Sequence, residues 1–327
     1  MPRFASPHAP QSPGDGPQAV TSAGQRVCRI IEGHRFESVG LVLKLAARLD
    51  HELGQDGLFR RNTLELIAFR IETPKAFALA HPERSLTSRQ AEQLRTDLRQ
   101  LAAGRPPAYI LGTHPFLDWE FIIDERALIP RPETEDLCRL VLERYQTRPE
   151  PARILDLCCG SGVLGLSLAL SFPHARVLVT DLCPEALALC GENIRRFRLA
   201  SRVTSARGDL WAAVPAGERF DLIVANPPYV AQTDQVQDQV LDFEPHQALF
   251  SGDGGSAHIK AILKALPTHL APGGLAAFEL GHHHRRTLAP FLRRLPDPTF
   301  FRWQSDLFHI PRFLFCDQLA QPRKENT

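Results

Sequence analysis

Residues Ile154–Leu170, ILDLCCGSGVLGLSLAL, decide how the rest of the chain is read. An apolar run broken only by Asp156 leads into Gly160-Ser161-Gly162, and a third glycine follows at 165. This is the pattern of a strand, a glycine turn and a helix. The glycines let the backbone turn tightly and come close to a ligand that faces the helix N–H groups. Alone, the spacing G-x-G-x-x-G is shared by many nucleotide-binding folds.

Working outward, the same alternation continues. RILDLCC, RVLVTDL, RVTSARGD, FDLIVAN and GLAAFELG read as strands, with helices between most of them, including Pro184–Phe197 and Ser256–Leu270. Strands alternating with helices imply a doubly wound, mostly parallel sheet, with ligands at the carboxyl ends of its strands. The ending FFRWQSDLFHIPRFLFCD adds two strands, expected as an antiparallel pair at the sheet edge.

Successive strand ends carry acids. Asp181 ends the strand after the glycine turn, at a distance that suits a carboxylate on a ribose diol. Asp209 ends the third strand and is placed to accept from an adenine amino group, with Leu210 or Trp211 over the ring. The glycine turn has no lysine for a phosphate, and nothing downstream resembles a hydride-transfer acid–base pair. S-adenosyl-L-methionine carries a sulfonium and no phosphate, so a glycine turn beside acids such as Asp156 suits it.

The fourth strand favours that cofactor. FDLIVANPPYV, residues 220–230, ends a core strand with Asn226-Pro227-Pro228-Tyr229. The prolines donate no N–H and fix φ, which presets their carbonyls. A planar amide or ring amine is a poor nucleophile and must be held with one face toward the methyl group. Acceptors are needed at both of its N–H bonds. The Asn226 carboxamide oxygen and the Pro227 carbonyl supply them, and Tyr229 can pack against the planar group or exclude water.

With those residues in view, the chain resembles the protein-(glutamine-N5) methyltransferases, class I methyltransferases that share Asn-Pro-Pro-Tyr with enzymes acting on exocyclic amines of nucleic-acid bases. AYILGTHPFLDWEFIIDERALIPRPETEDL (108–137) resembles the segment before their cofactor loop. EPHQALFSGDGG (244–255) resembles the one after their Asn-Pro-Pro-Tyr, and the likeness covers roughly residues 25–285. It implies a class I fold with a small N-terminal helical domain, S-adenosyl-L-methionine as cofactor, and a glutamine in the Gly-Gly-Gln loop of a peptide chain release factor as substrate. A sister subgroup modifies a ribosomal protein. The resemblance assigns the cofactor to Cys158, Cys159, Gly160, Ser161, Gly162, Asp181, Asp209 and Leu210, and Asp156 and Asn226 are expected to complete its site. The acceptor glutamine goes to Asn226, Pro227, Pro228 and Tyr229, and the resemblance also lets Arg131-Pro132-Glu133-Thr134-Glu135, otherwise a helix start with Glu in its first turn, line the acceptor pocket. Two places depart from the family: Cys158 stands where glycine is usual, and DLFHIPRFLFC replaces a finish containing Gly-Arg-Asp.

The bulk numbers agree with a soluble enzyme. The chain has 327 residues, 43% apolar and 23% charged, with a net charge of +1 that argues against a stable nucleic-acid partner. No apolar run approaches a membrane span. Residues 1–24, rich in Pro, Ser and Gly, read as a disordered tail without a secretory signal. Seven scattered cysteines, none as C-x-x-C, suit reduced thiols in a cytoplasmic protein without metal.

Residues 25–105 read as a helical substrate-recognition domain, with 14 Lys+Arg against 10 Asp+Glu. One helix carries Val39, Val42, Leu43, Ala46, Leu49 and Leu53. A second is expected to open at Asn62, and a third follows the capping box Thr87-x-x-Gln90. Residues 106–130 read as a hairpin linker and 131–327 as the methyltransferase domain. His282-His283-His284 point three ways on a helix and read as solvent-facing, and Glu279 reads as structural. Two other functions share the motifs: amine methylation of DNA or RNA, and a cofactor-binding scaffold without turnover.

Overall fold

A computed structural model describes residues 22–295 and 300–317, so most of the expected tail at 1–24 lies outside the described residues. The chain divides into two units, 1–110 and 111–327.

The first unit is helical: α1 (Ser22–Glu32), α2 (Val39–Leu53), α3 (Leu58–Arg70), α4 (Lys75–Ala80) and α5 (Ser88–Ala102). Val39, Val42, Ala46 and Leu49 of α2 are buried, as are Leu66 and Ile67 of α3 and Leu94 and Leu98 of α5. The Thr87–Gln90 capping box opens α5 as expected. Helix α3 begins four residues before Asn62, because the Asp50 carboxylate accepts from Phe59 N–H at 2.8 Å and caps it from outside the helix. Arg70 reaches both Asp97 oxygens, at 2.7 and 3.0 Å, and ties α3 to α5.

Helix α6 (Pro107–Leu111) spans the division between the units. The expected hairpin follows as β1 (Thr113–Phe116) and β2 (Trp119–Ile122). Residues 107–111 are helical rather than part of it, since Tyr109 and Ile110 N–H both donate to the Pro106 carbonyl.

The remaining elements are α7 (Pro132–Tyr145), β3 (Arg153–Leu157), α8 (Val163–Ser171), β4 (Arg176–Asp181), α9 (Pro184–Arg196), β5 (Val203–Arg207), β6 (Phe220–Ala225), α10 (Asp238–Phe243), α11 (Ala257–His269), β7 (Leu270–Glu279), α12 (His284–Leu292), β8 (Phe300–Ser305) and β9 (Pro311–Asp317). Seven strands form one sheet in the order β5-β4-β3-β6-β7-β9-β8. The first five run parallel, and β9 is antiparallel to both β7 and β8. This is the doubly wound sheet with an antiparallel edge that the alternation implies. The later strand β9 lies inside β8 because Phe313–Cys316 is a continuous apolar run, fully buried. FFRWQS, by contrast, keeps Arg302 exposed and suits an edge.

The order reverses between β3 and β6, the switch point where open α/β sheets bind ligands. Register fixes what meets there. Leu157 pairs with Ala225, and Ala225 with Phe278. The next residues, Cys158, Asn226 and Glu279, therefore form one row across three neighbouring strand ends, about 5 Å apart from strand to strand.

Candidate active site

The first wall of the site is the turn after β3. Cys159 N–H continues the ladder by donating to the Thr180 carbonyl at 2.9 Å. Asp181 then accepts from Gly160 N–H on one oxygen (2.8 Å) and from Cys183 N–H on the other (2.9 Å). So the acid at the end of β4 binds the glycine turn to the start of α9. Burial raises its pKa. Asn193 of α9 is fully buried and grips the turn from below, donating to the Ser161 carbonyl at 3.0 Å. Its carboxamide also pairs with both backbone groups of Ile122, at 2.8 and 3.0 Å.

Asp156 lies beneath the turn. It is 1% exposed and accepts from Gly165 N–H at 2.8 Å, and burial pushes its pKa up to about 8. Gly165 is required there, because a Cβ would come within 2.8 Å of the Asp156 Cβ. Cys158 takes the left-handed conformation, φ +59°, which explains why glycine is usual at that place. Burial pushes its thiol pKa well up, so it stays protonated.

A cleft opens over this turn and collects most of the predicted site residues. Asp156, Cys158, Cys159, Gly160, Ser161, Asp181, Asp209, Leu210, Asn226 and Pro228 all face it. Gly162, Pro227 and Tyr229 are not on its wall. Asp209 is exposed at the cleft edge. Trp211 is turned away from the cleft: it stacks on His269, centroids 4.2 Å apart, and donates to the Ile262 carbonyl. Leu210 alone remains of the expected ring cover.

The second wall comes from segments on either side of the sheet core. Arg131, just before α7, is paired with buried Glu244 at 2.7 Å, and the other Glu244 oxygen accepts from Ile129 N–H at 3.0 Å. One carboxylate thus joins IPRPETE to EPHQALF. The loop after Tyr229 is closed at its neck, where Val230 N–H donates to Leu249 and Ser251 N–H to Val230, both at 2.9 Å. Gly255 packs under it: a Cβ there would lie 2.3 Å from the Tyr229 carbonyl oxygen. His258 lines the cleft with its Nδ1 2.7 Å from the Ser251 hydroxyl, and burial lowers its pKa.

At the row of strand ends, the Asn226 Nδ2 donates to the Thr134 hydroxyl at 3.0 Å. Thr134 donates to Glu279 at 2.6 Å, and Tyr229 donates to the other Glu279 oxygen at 3.3 Å. Glu279 is 1% exposed, and burial pushes its pKa up to about 7. The histidine triplet does not all face solvent. His284 is fully buried, with its ring nitrogens 3.2 Å from the Gly281 carbonyl and 3.0 Å from that of Gly255. The reason is position: the third histidine opens α12, on the side that faces the Tyr229 loop.

Sequence reasoning marked the Arg131–Glu135 segment, which holds Thr134, but gave Glu244, His258 and Asn193 no task. Glu244 lay in a quoted motif, and only the three-dimensional pairing gives it, and Thr134 within its segment, a specific part. The chemistry of the arrangement is an acceptor-rich strand end beside a tightly held glycine turn.

Residues 133–254 match the family described as Methyltransferase small domain, and residues 48–112 match the PrmC N-terminal domain. A release factor glutamine methyltransferase of Koribacter versatilis is 37% identical over 249 residues, 76% of this chain and 87% of the relative. Proteins of the same name from Bordetella pertussis and Xylella fastidiosa are each 36% identical, covering 74% and 66% of this chain and 89% and 78% of the relative. The fold is that of the class I methyltransferases, and at this identity and coverage the chain belongs to the release factor glutamine methyltransferase family.

Proposed function

We propose that this chain methylates the side-chain amide nitrogen, N5, of the glutamine in the Gly-Gly-Gln loop of a peptide chain release factor, with S-adenosyl-L-methionine as donor. One observation carries the reading. The Asn226 carboxamide, its NH2 end anchored on Thr134, stands at the switch point next to the turn at Cys158.

The cleft suits the donor. Its carboxylates Asp181 and Asp209 stand at two strand ends, for the ribose diol and the adenine amino group. Its guanidiniums are already paired, Arg126 with Asp124 and Glu192, and Arg131 with Glu244. Cys158, Cys159, Gly160 and Ser161 form the floor, with Asp156 fixing the turn from beneath. When bound, S-adenosyl-L-methionine supplies an electrophilic methyl carbon.

The chain's own residues prepare the nucleophile. Asn226 Oδ1 and the Pro227 carbonyl accept the two N–H bonds of the glutamine amide and turn one face of the nitrogen toward the methyl group. Pro227 and Pro228 carry no N–H that would compete for that lone pair. Tyr229 contributes through its hydroxyl on Glu279 and through its ring, which walls the strand end. No strong base is needed beforehand, because the methylated nitrogen is acidic and gives its proton to water.

A translation factor as substrate places the reaction in the cytoplasm, and a net charge of +1 calls for no nucleic-acid partner. No helix among the described residues is long and apolar enough to cross a membrane. The test is incubation with labelled cofactor, purified release factor, ribosomal proteins and nucleic acid. Label in the Gly-Gly-Gln peptide is expected. Label only in a ribosomal protein or in RNA or DNA would overturn the substrate, and cofactor binding without any label would leave a scaffold.

A further inference from the structure

Three side chains behind Asn226 come from segments far apart in the chain. Thr134 lies in the first turn of α7, Glu279 at the end of β7, 145 residues later, and Tyr229 just past β6. Thr134 and Glu279 are buried, and neither Glu279 nor Tyr229 is on the cleft wall.

The hydrogen count in this group is restrictive. A hydroxyl has one hydrogen and accepts with its lone pairs. At 2.6 Å from an ionised Glu279, the Thr134 hydrogen goes to the carboxylate. Only its lone pair remains for Asn226, so only the NH2 end of that carboxamide can face it, at 3.0 Å. The oxygen end is thereby turned the other way. Tyr229 spends its own hydrogen on the second carboxylate oxygen, at 3.3 Å.

We propose that Glu279 and Thr134 are positioning residues that hold the Asn226 carboxamide oxygen toward the acceptor amide, and that a proton on Glu279 reverses the relay. This rests on the reading of Asn226 as the group that receives the glutamine. With Glu279 protonated, its O–H donates to Thr134, and the Thr134 hydrogen is released toward Asn226. The carboxamide then turns over to offer its oxygen to Thr134. Its NH2 faces an incoming NH2, donor against donor, and the amide is no longer held.

The surroundings put this proton within reach of neutral pH. Glu279 faces Thr134 and Glu133 from α7, Tyr229 from the loop after β6, and Arg312 from β9. Burial and the Glu133 charge favour the protonated form; the Thr134 and Tyr229 hydrogen bonds and the Arg312 charge oppose it. Arg312 is itself held by Asp306 at 2.8 Å. The balance leaves Glu279 at about 7.

The test uses the full-length protein with a purified release factor and labelled S-adenosyl-L-methionine at saturation, from about pH 6 to about pH 9. Wild-type kcat should fall on the acid side with a midpoint near neutrality, and Glu279→Gln should lack that limb. At the alkaline end, Thr134→Val should lower kcat about 10- to 100-fold, with KM for the release factor and Kd for the cofactor within about threefold. Thr134→Ser, which keeps the hydroxyl, should restore kcat to within about threefold. A flat wild-type profile, a limb that persists in Glu279→Gln, or wild-type kcat in Thr134→Val would overturn the relay. Asn226→Ala separates the two levels. If it is inactive while Thr134→Val is normal, only the relay fails; if it turns over like wild type, the reading of Asn226 itself fails.

Discussion

Gly165→Ala tests whether the glycine turn is fixed by contact between α8 and the two central strands. A Cβ at 165 would lie 2.8 Å from the Asp156 Cβ, 2.8 Å from its Oδ2 and 3.0 Å from the Val179 Cγ1. Ordinary carbon contacts are about 3.5–4.0 Å, so the helix must lift by roughly 0.5–1 Å from β3 and β4 together. Overpacking of this kind costs about 1–3 kcal/mol. Lifting the helix also stretches the buried bond from Gly165 N–H to Asp156, 2.8 Å, whose loss adds about 1–3 kcal/mol. Alanine gains about 1 kcal/mol over glycine in a helix interior, which offsets part of this. The net is a destabilisation of about 1–5 kcal/mol, or a fall in melting temperature of roughly 2–20 °C for a unit of this size. Gly191→Ala in α9 is the control. Its Cβ would meet nothing closer than an Arg195 guanidinium nitrogen at 3.7 Å, so it should be neutral or stabilising by up to about 1 kcal/mol. Calorimetry and circular dichroism melts of the full-length variants decide the matter. A Gly165→Ala protein that melts like wild type, or a Gly191→Ala protein that falls as far, refutes the steric argument.

Asn226→Ala should abolish turnover while cofactor binding, read by calorimetry, persists. Asn226→Asp keeps an acceptor oxygen but cannot donate to Thr134 and adds a charge that favours the bound sulfonium over the transition state; kcat should fall well over ~10-fold, and near-normal turnover would count against the carboxamide role. Asp156 is raised by burial to about 8, above its ordinary 3.8, so its contribution to stability is full below the unfolded value and lost as pH rises through about 8. The melting temperature should therefore decline from about pH 5 to about pH 8, and Asp156→Asn should flatten that decline; an unchanged slope in the variant would rule out Asp156 as its source. At Cys158, φ +59° ranks substitutions: glycine should be tolerated, whereas valine, branched at Cβ, should lower stability by about 1–3 kcal/mol in urea titrations, and equal midpoints would contradict the ranking.

The sheet was legible because its signals are local. Four of the five parallel strands are short, mostly apolar runs, the more polar β5 (VTSAR) taking the sheet edge; the last two strands were legible as an antiparallel edge pair, though not the order that puts PRFLFCD inside FFRWQS. The glycine turn and Asn226–Tyr229 were legible for the same reason. The start of α3 was not, since its cap is Asp50, nine residues before the Phe59 N–H that it receives. Nor was the burial of His284, which depends on a Gly255 carbonyl 29 residues away. The deepest part of the site was the least legible. Glu279 reads as a structural strand end, the Thr134 segment as a helix start or a pocket wall without a partner, and Glu244 reaches Arg131 across 113 residues. No periodicity or spacing encodes such pairings; they follow only from the strand order that brings β6 and β7 together beside α7.

That long-range construction also explains why two prolines alone would not make a site of acceptors. Prolines remove backbone donors from the strand end, but Thr134, Tyr229 and Arg131 each bring new ones to its vicinity. Buried carboxylates meet them: Glu279 accepts from Thr134 and Tyr229, and Glu244 from one Arg131 guanidinium nitrogen. The carboxylates therefore act by occupying hydrogens rather than by touching substrate. In the proposed reading this distinguishes an amide from a carboxylate of the same shape. A glutamine NH2 brings two hydrogens to the Asn226 oxygen and the Pro227 carbonyl, whereas a glutamate would set its own oxygens against both. A site built to pair N–H groups rejects a ligand that lacks them by far more than any apolar pocket could, because its own polar atoms are then left buried and unpaired.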